Sequence, residues 1–135
     1  MVLDCSATMA FVYADETTPA VSRVFQLLIE SGAWVPSLWR LEVANILEMG
    51  VRRGRHDDGF RDATLADLAQ LPISLDAETD RYAWDTTLLL ASQHKLTLYD
   101  AAYLELALRR SLPLATLDRD LRVAARDENV TLLGA

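Results

Sequence analysis

The chain has 135 residues, 51% of them hydrophobic and 24% charged, with a net charge of −7. This size suits one domain with an ordinary buried core, and the acidic balance excludes passive, sequence-independent binding of nucleic acid, which relies on a basic surface. It does not exclude an enzyme that meets nucleic acid through bound metal.

The lone cysteine, Cys5, rules out an intramolecular disulfide and points to a reducing cytoplasm. No charged segment leads into an apolar run in the manner of a secretory signal. No apolar stretch is long enough to span a bilayer, so no membrane partner is expected.

Short apolar runs alternate with longer helical patterns. VLDCS, at 2–6, predicts a first strand. PAVSRVFQLLIESG, at 19–32, has helical spacing and a stop at Gly32. AWVP, at 33–36, is a second strand ended by Pro36. SLWRLEVANILEMGVRRG, at 37–54, predicts a helix with Ser37 as N-cap. A further helix is expected over 57–70, closed by Pro72, and ISLD at 73–76 is a third strand. TDRYAWDTTLLLASQH, at 79–94, predicts one helix, and TLYDAAYLELALRRS, at 97–111, is the clearest helix of the chain. LPLATLD at 112–118, RDLRVAARDE at 119–128 and VTLL at 130–133 complete the pattern as strand, helix and strand. Such alternation implies an α/β fold: a mainly parallel five-stranded sheet with helices on both faces.

One residue breaks the apolar pattern of the first strand. An isolated carboxylate at Asp4 would cost on the order of several kcal/mol without a partner. Ligands gather beyond the carboxyl ends of parallel strands, and Asp4 lies late in its strand. Asp118 ends the fourth strand, where it also suits an N-cap; Asp120 is a second candidate two residues on. Glu42 and Asp100 lie early in helices. Glu42 shares a helical stripe with Leu38, Asn45 and Met49, so Glu42 and Asn45 either have buried partners or reach solvent. Thr97 and Asp100 also outline a capping box. Ser6 and Thr116 stand beside these acids, as strand-end residues or as hydrogen-bonding supports.

Several carboxylates on one rim repel, and a divalent cation resolves the conflict. Oxygen-only ligands suit Mg²⁺ or Mn²⁺, whereas His56, His94 and Cys5 have no zinc spacing. The positive charge is carried by twelve arginines and Lys95. Arg52, Arg53 and Arg55 form the densest group, readable as a solvated helix end or as a phosphate contact; Arg119 and Arg122 are alternatives for the latter.

VLDCSA, LEVANIL, LTLYDAAYLELA and LPLATLDRDL occur in order across nearly the whole chain. Together they resemble the PIN-domain nucleases, most closely the VapC toxins of bacterial toxin–antitoxin pairs. The resemblance implies a metal site of Asp4, Glu42, Asp100 and Asp118, supported by Ser6, Asn45 and Thr116. It implies Mg²⁺- or Mn²⁺-assisted hydrolysis of RNA phosphodiester bonds, with a transfer or ribosomal RNA as target. It further implies a homodimer held inactive by a cognate VapB-like antitoxin, whose tail packs into a groove and sends a basic side chain toward the acids. Trp39 and Met49 lie on the helix where such a groove would form, although core packing accounts for each tryptophan taken singly.

Three rivals share parts of this pattern. An aspartate-nucleophile phosphatase needs a second Asp where Ser6 stands. A signalling receiver needs a lysine on a late strand, and Lys95 precedes the Asp100 helix instead. A binding module without catalysis would have no need of four intact acids.

Overall fold

A computed structural model describes all of residues 1–135. Five short strands, β1 (Val2–Leu3), β2 (Ala33–Val35), β3 (Ile73–Leu75), β4 (Leu114–Ala115) and β5 (Leu132–Leu133), form one sheet in the order β3-β2-β1-β4-β5. Every pairing is parallel, with Val2 opposite both Trp34 and Leu114. The helices are α1 (Cys5–Val12), α2 (Pro19–Ser31), α3 (Trp39–Arg52), α4 (Asp58–Ala69), α5 (Thr79–Ala83), α6 (Thr86–His94), α7 (Leu98–Arg110) and α8 (Arg119–Asp127). They pack in two groups that flank the sheet: α1 with α2 and α3, and α3 with α4; then α5, α6 and α8 around α7. No helix is long and apolar enough to cross a membrane. The strand order reverses between β1 and β4, which are neighbours, so the crevice at the carboxyl ends of this pair is where a parallel sheet receives a ligand.

The first strand is shorter than its apolar run suggests. The chain leaves the sheet at Asp4, which takes the extended N-cap conformation of α1, while Cys5 and Ser6 already belong to the helix. Asp4 makes no side-chain capping bond there, but Ala7, Met9 and Ala10 are strong helix formers that the apolar reading of 2–6 passes over. Ser37 is not the cap of α3. Its amide donates to Thr79 Oγ1 at 3.0 Å, and the Trp39 amide bonds to the Pro36 carbonyl, so a turn feeds the helix. The segment 79–94 is two helices, broken at Trp84 and Asp85, where Asp85 has φ −119° and ψ −109°. Trp84 is 91% exposed rather than part of the core.

In α3 the buried stripe is Trp39, Val43, Leu47 and Gly50, one position on from the expected one. One position is about 100° of helix rotation, which leaves Glu42 half-buried on the flank and Asn45 exposed. Asn45 therefore lacks the buried partner expected of it. Gly50 gives the His56 ring its place: a Cβ there would lie 2.3 Å from His56 Nε2 and the ring would have to move.

Candidate functional site

Asp4 is 4% exposed, and its carboxylate is held by two hydroxyls. Ser6 Oγ donates to Asp4 Oδ2 at 2.6 Å, and Thr116 Oγ1 donates to the same oxygen at 2.8 Å. Each hydroxyl also accepts a backbone amide from the turn after β4, Leu117 N to Ser6 at 2.9 Å and Asp118 N to Thr116 at 3.1 Å. The ends of β1 and β4 are thus laced together around one oxygen of Asp4, and its Oδ1 takes neither hydroxyl. Below it, Trp39 Nε1 donates to Thr8 Oγ1, which donates to the Asp4 carbonyl, so α3 is fastened to the same turn.

The other three acids reach this crevice from different helices. Glu42 sits in the first turn of α3 and its Oε1 accepts the Tyr103 hydroxyl at 2.5 Å. Asp100 sits in the first turn of α7, where its amide donates to the N-cap Thr97 at 3.1 Å. Asp118 is the N-cap of α8, its Oδ1 accepting the Leu121 amide at 2.8 Å. The capping roles of Thr97 and Asp118 coexist with their nearness to the crevice.

Their electrostatics are shared. Asp100 is pushed up to about 6 by burial and then by the charges of Asp4, Asp118 and Glu42. Glu42 is raised by burial, opposed by the Tyr103 bond, and raised further by Asp4. Burial raises Asp4 against the pull of its hydroxyl and amide bonds. The Cys5 thiol and Tyr103 phenol are pushed up by burial and by the charges of Glu42 and Asp4.

The contrast with the rest of the chain is informative. Three carboxylates are buried: Asp4, Asp76 and Glu105. Asp76 and Glu105 both bind Arg109, at 2.6 and 2.7 Å. Asp4 has no cation, nor does Glu42, Asp100 or Asp118 form any ion pair. Four oxygen donors with no internal counter-ion, three of them bearing on Asp100, match the chemistry of a hard divalent cation. As the side chains stand, no three His, Cys, Asp or Glu groups are arranged to hold one. The hydrogen bonds on Glu42 and Asp118 each occupy one oxygen, Oε1 and Oδ1.

The remaining predicted residues lie outside this set. Asn45 is exposed and makes no side-chain hydrogen bond, and Asp120 is exposed in the first turn of α8. Arg52 pairs with Glu48 at 3.6 Å, Arg53 caps the end of α3, and Arg55 binds Asp15 and Glu16 while stacking on Tyr13. From Glu42 to Arg52 is about 15 Å along the helix. Arg122 is structural, donating to the carbonyls of Thr116 and Leu133, while Arg119 is exposed beside Asp118. Tyr103 is the site residue that pattern reasoning missed. Its signal was position: three residues after Asp100, a polar group inside an Ala- and Leu-rich helix face.

Comparison with known families matches residues 1–127 to the PIN domain, whose members are generally nucleases that typically use divalent metals. Among solved structures, PAE2754 from Pyrobaculum aerophilum superposes with a TM-score of 0.70 at 23% identity, covering 97% of this chain and 81% of that one. At that identity the likeness speaks for the fold. No curated protein matches the chain. With the family match running over nearly its whole length, the chain belongs to the PIN domain family.

Proposed function

We propose that this protein is a metal-dependent endoribonuclease that hydrolyses RNA phosphodiester bonds, a toxin of the VapC type neutralised by a cognate VapB-like antitoxin. The observation that carries the nuclease part is Asp4: a buried carboxylate given hydroxyls but no arginine, among three further acids equally without a cation. Asp4, Glu42, Asp100 and Asp118 would hold Mg²⁺ or Mn²⁺, which supplies Lewis-acid activation of the phosphodiester and the attacking water. Ser6 and Thr116 fix the Asp4 carboxylate from one side, leaving its other oxygen for the crevice. Arg52 and Arg53, or Arg119 next to Asp118 in the chain, are exposed arginines that would meet RNA phosphates.

The toxin assignment rests on the order of the four motifs along the chain. It carries with it a homodimer and a cytoplasmic location, which suits the free, buried Cys5. A receiver role lacks support, because the only lysine, Lys95, is an exposed helix cap and not a strand residue.

The decisive experiment incubates purified protein with transfer and ribosomal RNA in Mg²⁺ or Mn²⁺. Cleavage is expected, and it should vanish in EDTA and in Asp4→Asn. Cleavage that persists under both conditions removes the metal mechanism. A small DNA-binding protein encoded next to this one, co-purifying with it and silencing cleavage, supports the toxin reading.

A further inference from the structure

Tyr103 is fully buried on α7, and its hydroxyl donates to Glu42 Oε1 from a residue 61 positions away in sequence. Three residues separate it from Asp100, so both rise from one side of the helix. Glu42 has no ion pair and no other side-chain hydrogen bond, and the Tyr103 bond occupies only one of its oxygens. A phenylalanine would fill this buried space without needing a partner. A tyrosine hydroxyl there must find an acceptor, and the acceptor is the Glu42 carboxylate rather than a backbone carbonyl.

We propose that Tyr103 is a positioning residue for the divalent cation site: by holding Oε1 of Glu42 it leaves Oε2 as the oxygen that faces the cation. This rests on the metal-dependent reading above. Helix α7 then supplies both an acid, Asp100, and the bracket that sets a second acid carried by α3. Groups that orient a metal-binding carboxylate typically change affinity by about 10–100-fold when removed.

The test titrates Mn²⁺ into purified RNA-free protein by calorimetry, comparing wild type, Y103F, E42Q and the double variant. Y103F should bind Mn²⁺ about 10–100-fold more weakly. The double variant should bind no more weakly than E42Q alone, since Tyr103 acts through Glu42. Equal affinity in Y103F and wild type overturns the inference, as does a full additive loss in the double variant. A purely structural tyrosine would lower the melting temperature and leave Mn²⁺ affinity untouched. Wild-type protein that takes up no Mn²⁺ overturns the metal reading itself, and with it this inference; wild-type uptake with Y103F unchanged overturns this inference alone. Should Y103F fail to fold by circular dichroism, Tyr103→Met, which adapts to irregular core space, also lacks the hydroxyl and leaves Glu42 intact, is titrated instead. Wild-type affinity in that variant again overturns the inference, and a comparable loss supports it.

Discussion

Asp100 shows how a single side chain responds to like charges with no basic residue beside it. Its carboxyl, raised from 3.8 to about 6, binds its proton more tightly in the folded chain than in the unfolded one. The stability tied to that proton is therefore complete below about pH 4 and is lost as pH rises through 6. At neutral pH without metal, Asp100 destabilises the fold through burial and three like charges. Asp100→Asn should accordingly raise the melting temperature in EDTA at pH 7, by roughly 2–4 °C, and change it little at pH 4. Thr97 bonds to the backbone amide of Asp100, so the helix cap survives the substitution. A fall in melting temperature at both pH values would show that the carboxylate serves the cap and not the crevice. At this scale the acids were legible in the sequence because a charge in an apolar run is conspicuous. Tyr103 was not, because an aromatic residue in an Ala- and Leu-rich helix reads as core until its partner, 61 residues away, is seen.

Elements were legible where periodicity was long and punctuated. Helix α2 ends at Gly32, whose φ of 74° and ψ of 173° lie in a region open essentially to glycine alone. Elements are less legible where the local pattern is short or unpunctuated. Helix α1 was hidden in a strand-like run, and α5 and α6 read as one helix because nothing in their composition marks the break at Asp85. What anchors α5 and edge strand β3 is a buried ion cluster that no local pattern foretells. Arg109 grips Asp76 with both terminal nitrogens, at 2.6 and 3.1 Å, and also meets Glu105 and Glu78, while Arg110 adds a contact to Asp76 and stacks on Trp34. Burial alone would raise the Asp76 carboxyl, but the arginine bonds and charges outweigh it and hold it below its usual value. An acid lowered on folding contributes stability above its unfolded value, lost as pH falls through the folded one. Asp76→Asn should cost roughly 3–5 kcal/mol at pH 7 by leaving Arg109 and Arg110 without their main partner, as read by urea denaturation. A loss below about 1 kcal/mol would show the cluster to be solvated.

For the whole molecule, the sheet order decides what the acids can do together. Strand–helix alternation foretold parallel strands but not which of them are neighbours. Placing β4 beside β1 brings Asp118 next to Asp4, while α3 and α7 bring Glu42 and Asp100 to the same rim. Folding thus collects negative charge that the isolated protein does not neutralise, in a chain already at −7. A ligand that binds only the folded state stabilises it by about 2.7 kcal/mol at one hundred times its dissociation constant, or roughly 10 °C for a chain of this size. Mn²⁺ at that excess should therefore raise the melting temperature by about that amount at pH 7.5. The gain should shrink below about pH 6, where protons hold Asp100 and compete with the cation. Asp4→Asn should abolish it, whereas substitution of the exposed Asp120 should not. An equal rise in wild type and Asp4→Asn would mean that the cation stabilises through scattered surface carboxylates. The crevice would then be an acidic cluster without a metal to gather it.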